Sequence, residues 1–196
     1  MDIKEEYKTI RGARIHYLTG GDAKSRDKVI LLHGKRYTSQ DWRQVGIMEK
    51  LSMKGFHVIA LDLPGYGKSD PLEGEMEDFL LEFSDELKIE EFHLVGPSFS
   101  GEIALKFALK YGHRLKSLIL VGSINVERYA NRLKDINVRT LIIWGEKDDI
   151  APYEFARLLK NNIRGSILYT FHELGHACYL ECPERFVDIL TEFLSG

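Results

Sequence analysis

The chain has 196 residues, of which 27 are basic and 30 are acidic, so its formal net charge at pH 7 is −3. This length suits one domain with a sizeable core, and we expect a single domain over residues 1–196. The near balance of charge provides no field that would attract nucleic acid or an anionic membrane. No apolar run approaches the roughly 18 residues of a membrane helix. The charged start, MDIKEEYKTI, does not resemble a secretory signal.

The two cysteines, Cys178 and Cys182, lie four positions apart near the C-terminus. Two cysteines are too few for a disulfide framework, and we expect a reducing, cytoplasmic location. Together with His172 and His176 they form the pattern His-x3-His-x-Cys-x3-Cys, which fits no common zinc site. We therefore expect no metal, and we interpret both cysteines as small buried hydrophobic residues.

Short apolar segments with the character of strands recur along the whole chain. The first two, 7–10 and 13–18, alternate in polarity and predict an opening antiparallel hairpin. The later ones are predominantly apolar, as in strands that are buried on both faces. These later strands are expected in 28–33, at the start of HVIALDLPGYGKSD, and in 92–96, 115–123, 139–145 and 166–171.

Amphipathic segments separate these strands. One helix is expected over 40–54, where apolar residues recur at helical spacing. These residues are Trp42, Val45, Met48 and Leu51. Further helices are expected in 75–88, 99–110, 126–134 and 152–161 and over the last dozen residues. Strands that alternate with such helices predict a three-layer α/β fold, with helices on both faces of a mainly parallel sheet.

Polar or glycine-rich loops follow five of these six buried strands. In chain order these loops contain HGKRYTSQDW, DLPGYGKSD, GPSFSG, GEKDD and HELGHACYL. In an open parallel sheet, ligands bind beyond the carboxyl ends of the strands. The sequence therefore places its functional site where these loops meet.

The loop GPSFSG contains two candidate nucleophiles. A serine on a sharp turn from strand to helix needs small residues two positions before it and two positions after it. Ser98 has Gly96 and Ser100 at these positions, whereas Ser100 would have the bulky Glu102. We therefore predict that Ser98 is the nucleophile. Ser100 is expected to be a small spacer and is also a candidate substrate contact.

A serine hydroxyl is a weak nucleophile unless a base accepts its proton and a third group orients that base. His176 lies in the loop after the last strand and is the predicted base, whereas His172 lies at the end of the strand. Two adjacent aspartates follow the strand RTLIIWG. Asp148 is the predicted acid, because the turn that leaves the strand would direct it toward the histidine. Asp149 is expected to cap the turn that follows.

Acyl transfer also requires donors that face the developing oxyanion. The backbone N–H of Phe99, directly after the nucleophile, is one expected donor, and the backbone N–H of Lys35 is the other. Gly34 allows the chain to turn tightly before Lys35. The side chains of Lys35 and Arg36 either face solvent or contact a carboxylate or phosphate of the substrate, and Arg36 is the candidate substrate contact.

Five motifs support a resemblance to a known family. They are LLHGKRYTSQDW, IALDLPGYGKSD, LVGPSFSG, LIIWGEKDDIAP and LGHACYLECPERF. Their order, and the order Ser–Asp–His along the chain, are those of the α/β-hydrolase superfamily. The chain resembles this superfamily over nearly its whole length, and more narrowly it resembles the small CIB-like hydrolases of the abhydrolase-domain 14 type. The resemblance implies that Ser98, Asp148 and His176 form the catalytic triad and that the protein acts on small acyl groups.

Three features depart from the wider superfamily. Pro97 precedes the nucleophile where histidine or glutamine is common, and Ser100 replaces the usual glycine. About sixteen residues separate LVGS from TLIIWG, where most members insert a cap of several dozen residues. We therefore expect a fold without a cap domain and an open site that suits short acyl groups.

The first functional hypothesis is a serine hydrolase that cleaves small carboxylic or acyl esters. A second hypothesis keeps the same triad and acyl-enzyme in a thioesterase, a deacylase, or an acyltransferase with a thiol, amine or peroxide acceptor. A third hypothesis is a non-catalytic binding or regulatory protein on the same fold. We expect no cofactor. The expected partner is a small-molecule acyl ester, with no nucleic acid or membrane involved. A monomer is the default state, and a partner protein remains an alternative.

Overall fold

The centre of this computed structural model, which describes residues 2–196, is one eight-stranded sheet. Its strands are β1 (Lys4–Ile10), β2 (Ala13–Gly20), β3 (Lys28–Leu31), β4 (His57–Leu61), β5 (Phe92–Pro97), β6 (Leu115–Val121), β7 (Thr140–Gly145) and β8 (Ile167–Phe171). They lie in the order β1-β2-β4-β3-β5-β6-β7-β8. The β1–β2 and β2–β4 pairs are antiparallel and all other pairs are parallel. The prediction of a mainly parallel sheet with an opening hairpin is confirmed.

Within the described residues, seven α-helices surround the sheet. They are α1 (Ser39–Gln44), α2 (Ile47–Met53), α3 (Met76–Glu86), α4 (Phe99–Tyr111), α5 (Tyr153–Asn162), α6 (Cys178–Glu181) and α7 (Pro183–Ser195). The prediction of one helix over 40–54 is wrong, because α1 and α2 are separate. The chain turns between them at Gly46, whose φ of 73° lies in the left-handed region that glycine tolerates.

Two apolar cores lie on opposite faces of the sheet. Successive residues along a strand point to opposite faces. Thus Leu94 belongs to the core beneath α3, α4 and α5, and Val95 belongs to the core beneath α1, α2 and α7. Both residues are fully buried. Both faces of β5 are therefore buried, which confirms the three-layer arrangement.

The connection from β6 to β7 is short and contains no cap domain. Its only regular element is a 3-10 helix over Val126–Asp135, where the sequence predicted a short helix over 126–134. Glu102 of α4 holds this segment, since its carboxylate accepts hydrogen bonds from Asn125 Nδ2 at 2.6 Å and from Tyr129 Oη at 2.8 Å. The segment therefore packs beside α4 and leaves the carboxyl edge of the sheet uncovered. Over residues 2–196, none of the helices combines the length and apolarity that a bilayer crossing requires.

A buried carboxylate connects the opening hairpin to the loops at this edge. Asp62, directly after β4, is 1% exposed. It accepts hydrogen bonds from Ser39 N at 2.7 Å, Lys68 N at 2.9 Å and His16 Nδ1 at 2.7 Å. Burial by itself raises the pKa of Asp62, but the hydrogen bonds from Lys68 and Ser39 outweigh it, and the pKa lies below its usual value. The carboxylate therefore stabilises the folded state.

We expect Asp62→Asn to lower the free energy of unfolding by about 3 kcal/mol at pH 7, because an amide NH₂ would face one of these donors. Urea denaturation measures the loss. The depressed pKa means that this contribution is complete above the unfolded value of about 3.9. The difference between the two proteins should then shrink as the pH falls through the lower pKa of the folded state.

Asp135→Asn is the matched control, because Asp135 is exposed and pairs only with Arg132 at 2.9 Å. It should change stability by less than about 1 kcal/mol. Equal losses in the two variants would contradict the role assigned to Asp62.

Candidate active site

Ser98 lies on a sharp turn between β5 and α4. Its φ of 54° and ψ of −121° form a conformation that residues with a side chain rarely adopt. The backbone on both sides holds it there: Ser98 N donates to Val121 O at 2.8 Å, and Ser98 O accepts from Gly101 N at 3.0 Å. The turn therefore presents the hydroxyl at the edge of the sheet.

Close packing explains the small residues around this turn. A Cβ added to Gly96 would lie 2.6 Å from Ser100 O, and one added to Gly101 would lie 2.1 Å from Ser123 Oγ. Ser100 itself is fully buried, and its hydroxyl donates to Pro97 O at 2.8 Å. The structure therefore supports Ser100 as a spacer. As a candidate substrate contact it requires correction, because its hydroxyl is buried in packing and bonded to the backbone.

The three predicted side chains form one hydrogen-bonded chain. His176 Nε2 lies 2.8 Å from Ser98 Oγ, and His176 Nδ1 lies 2.9 and 2.8 Å from the two carboxylate oxygens of Asp148. An ionised carboxylate can only accept, so Nδ1 carries the proton and Nε2 is free to accept from the serine hydroxyl. The Asp148 side chain is fully buried, whereas that of His176 is 15% exposed. This arrangement can take a proton from Ser98.

Asp148 and Asp149 do not share the roles of catalytic acid and turn cap as predicted. Asp148 Oδ1 accepts hydrogen bonds from Ile150 N at 2.9 Å and Ala151 N at 2.8 Å, in addition to its contact with His176. Asp149 is exposed and faces the cavity described below. The expectation that Asp149 caps the turn is therefore wrong, because one buried carboxylate both caps the turn and contacts the histidine.

Two glycines leave room for the pair of Asp148 and His176. Gly122, with φ of 51°, directly follows β6, and a Cβ there would lie 3.1 Å from Asp148 Oδ2 and 3.3 Å from His176 Nδ1. Gly145 ends β7, and a Cβ there would lie 2.1 Å from Gly175 O, one residue before the histidine. These packing roles were not predicted from the sequence. The signal present there is a glycine at or directly after the carboxyl end of β6 and of β7.

A cavity of about 660 Å³ opens at Ser98 and His176. Its apolar wall consists of Phe99, Ile124 and Ile150, and its charged side chains are Lys35, Arg36, Lys147, Asp149 and Glu181. Two tyrosines, Tyr37 and Tyr179, complete the side near Gly34. The structure thus brings Ser98, His176, Lys35, Phe99 and Arg36 to one cavity, and Asp148 lies behind the histidine. The tyrosines and the isoleucines were not predicted from the sequence.

The two predicted backbone donors belong to well-held segments. Phe99 is the first residue of α4, a position whose N–H has no acceptor within its own helix. Lys35 follows a turn fixed by the buried His33, which contacts Gly34 O through Nδ1 at 2.9 Å and Leu63 N through Nε2 at 3.1 Å. Burial lowers the pKa of His33, which favours the neutral ring that can donate at one nitrogen and accept at the other. These two contacts of His33 therefore hold the loop before Lys35 in place.

The remaining metal candidates lie apart from this chemistry. Cys178 is fully buried, and burial raises the pKa of its thiol to about 12. Cys182 is half-buried, and His172 is an exposed residue whose Nδ1 lies 3.1 Å from Glu146. Within the part of the chain that the structure describes, no three histidine, cysteine or acidic side chains are grouped as metal ligands would be.

The family model of the alpha/beta hydrolase fold matches residues 27–128. The chain belongs to this family of α/β hydrolases, as its sheet and its turn at Ser98 also indicate. Within the family it is of the ABHD14 type, on the basis of the following similarities.

Protein ABHD14A from Mus musculus is 35% identical over 176 residues, which cover 86% of this chain and 70% of that protein. The "Putative protein-lysine deacylase ABHD14B" from Homo sapiens is 29% identical over 184 residues, covering 90% of this chain and 87% of that protein. The crystal structure of a "predicted CIB-like hydrolase" from Thermoplasma acidophilum superposes with a TM-score of 0.94 at 28% identity. That superposition covers 99% of this chain and 98% of the other.

We expect Gly145→Ala to destabilise the protein by about 1–3 kcal/mol, because the added methyl group overlaps Gly175 O and must displace the loop that carries His176. Urea denaturation measures the stability. The downfield NMR signal of the proton between His176 and Asp148 reports whether their contact survives, and it should shift or broaden.

Gly112→Ala provides the control, since its Cβ would make only ordinary contact, at 3.5 Å from Val138 Cγ2. It should retain the wild-type signal and nearly the wild-type stability. An unchanged histidine signal in a folded Gly145→Ala protein would show that the loop tolerates the methyl group.

Proposed function

We propose that the protein is a serine hydrolase that cleaves small acyl esters through a covalent acyl-enzyme. The observation that carries the proposal is the continuous hydrogen-bonded chain from Ser98 Oγ through His176 to Asp148, open to a cavity. A hydroxyl bonded in this way differs from an ordinary surface serine, because its proton has an acceptor at 2.8 Å.

In the first half of the reaction, Ser98 Oγ attacks the acyl carbon while His176 Nε2 takes its proton. Asp148 orients the imidazole and stabilises its positive charge. The carbonyl oxygen becomes negatively charged and accepts hydrogen bonds from the N–H groups of Lys35 and Phe99. The bond to the leaving alcohol then breaks, and the alcohol receives the proton held by His176.

In the second half, water attacks the acyl-enzyme. His176 takes a proton from this water, and the bond between the acyl carbon and Ser98 Oγ breaks. The proton on His176 returns to Ser98, and the acid is released. The chain, the ester and one water molecule balance these steps.

The shape of the cavity favours a small acyl group on a larger alcohol or carrier. No cap follows β6, so little apolar surface is available to enclose a long chain. Ile150 is 60% exposed and forms part of the rim. Lys35 and Arg36 are also exposed on this rim and would attract a carboxylate or phosphate on the part of the substrate that remains outside.

The second candidate function is removal of acyl groups from lysine side chains. It is favoured by the similarity to human ABHD14B, the relative described as a putative protein-lysine deacylase. An open site would admit a lysine side chain that projects from a peptide. The two candidates are separated by assaying one preparation on p-nitrophenyl acetate and on an acetyl-lysine peptide. A kcat/KM that is higher for the peptide than for p-nitrophenyl acetate would favour the deacylase.

We expect Ser98→Ala to abolish labelling by a fluorophosphonate probe and to lower kcat for p-nitrophenyl acetate at least about 10³-fold, because the nucleophile is removed. Intact mass and peptide mapping locate the label. Ser100→Ala is the matched control two residues away and should still be labelled at Ser98. Wild-type protein that is neither labelled nor active would overturn the proposal and favour a binding protein without turnover.

We expect Asp148→Asn to lower kcat by roughly 10³- to 10⁴-fold, because an amide no longer fixes the tautomer of His176 or stabilises its charge. Steady-state kinetics measure the loss. Asp149→Asn, at the neighbouring exposed residue, should change kcat by less than about threefold. Comparable losses in the two variants would contradict the assignment of Asp148.

A further inference from the structure

Tyr179 lines the cavity with a ring that is held in place by packing. The residue is 4% exposed, and its ring packs against those of Trp42 and Phe186, with centroid distances of 4.8 and 5.9 Å. These two neighbouring rings hold the tyrosine in one orientation. The residue also lines the cavity at Ser98. Its hydroxyl is therefore a fixed feature of the site.

The hydroxyl lies beside the loop that carries a proposed oxyanion donor. Tyr179 Oη is 3.7 Å from the position that a Cβ of Gly34 would occupy, directly before Lys35. Over residues 2–196, no protein group forms a hydrogen bond with this oxygen. The oxygen is not one of the fully buried side-chain atoms that lack a partner, so it remains accessible beside the cavity that the residue lines. Tyr179 therefore has a hydrogen bond to offer to a molecule in the cavity.

The chemical state of this hydroxyl suits it as a donor. Burial raises the pKa of Tyr179, with a smaller effect from the neighbouring Tyr37, so the phenol stays protonated at neutral pH. A protonated phenol beside a substrate oxygen donates a hydrogen bond.

Depth in the cavity indicates which part of the substrate would meet this donor. Lys35, Arg36 and Ile150 are exposed at the rim, whereas Tyr179 is almost fully buried. In an open site the small acyl group enters the interior and the larger leaving group stays at the rim. The acyl chain is therefore the part that reaches Tyr179.

We propose that Tyr179 determines acyl specificity, by donating a hydrogen bond to an acceptor oxygen within the acyl chain. This inference rests on the proposed function. It names the substrate class more narrowly, as short acyl groups that carry an ether, hydroxyl, carbonyl or carboxylate oxygen. Purely aliphatic acyl groups of equal length cover the hydroxyl without accepting its hydrogen bond and are the poorer substrates.

The test uses two esters of equal length and shape, p-nitrophenyl methoxyacetate and p-nitrophenyl butyrate. The methoxyacetate has an ether oxygen where the butyrate has a methylene group. The two esters differ in intrinsic reactivity, so each is compared between the wild-type and the variant protein, which cancels this difference. We expect Tyr179→Phe to lower kcat/KM at least fivefold for methoxyacetate and less than twofold for butyrate. Tyr169→Phe is the control, because Tyr169 lies on β8, outside the cavity lining, and its hydroxyl contacts Arg185. It should change neither value by more than twofold.

Equal losses for the two esters after Tyr179→Phe, or no loss for either, would overturn the inference. Equal losses in an active enzyme would place the hydroxyl at the scissile carbonyl and would leave the proposed function intact.

A binding experiment separates this inference from the proposed function, since it needs no turnover. Methyl methoxyacetate and methyl butyrate are titrated into the Ser98→Ala protein, with and without Tyr179→Phe, and binding is followed by NMR shifts of the protein. If Tyr179→Phe weakens the binding of methyl methoxyacetate at least fivefold and leaves that of methyl butyrate unchanged, the inference is supported even in the absence of esterase activity. Affinities that do not depend on Tyr179 would overturn it.

Discussion

The backbone conformation of Ser98 is the constraint on which the whole site depends. A residue with φ of 54° must be held in place by its surroundings, because neither a strand nor a helix would place it there. The hydrogen bond from Ser98 N to Val121 O continues the pairing of β5 with β6 by one residue, and α4 begins directly afterwards. The sheet and the helix thus fix the turn from both sides. Ser98 therefore belongs to neither β5 nor α4, and its hydroxyl lies at the edge of the sheet.

The order of the strands explains how distant residues meet at this edge. β5, β6, β7 and β8 are neighbours and run parallel, so the loops at their carboxyl ends lie side by side. Ser98 follows β5, Asp148 follows β7 and His176 follows β8. Gly122 follows β6, and its lack of a side chain leaves space in which the aspartate and the histidine can approach each other. The site therefore results from the loops after β5, β7 and β8, together with a glycine after β6, the strand between β5 and β7.

Much of the fold and of the candidate site could be predicted because the signals are local. Each strand segment, the tight turn at Ser98 and the loops that contain Asp148 and His176 can be recognised from a few neighbouring residues. The prediction of a helix over 40–54 is wrong because the apolar spacing continues through Gly46, and only the backbone conformation there shows the break. The prediction for Asp149 is wrong because two adjacent aspartates are equivalent in the sequence, and only the structure shows that Asp148 is the buried one.

The sequence by itself determined the alternation of strands and helices, the absence of a cap and the residues that meet at the edge of the sheet. These properties follow from periodicity, chain length and residue type, all of which can be read directly from the sequence. Only the tertiary structure decided that Ser100 is buried, that Asp148 serves two purposes and that Tyr179 reaches the cavity beside Gly34. These features depend on which residues are packed together after folding. Burial and contact between distant parts of a chain leave no signal in local spacing.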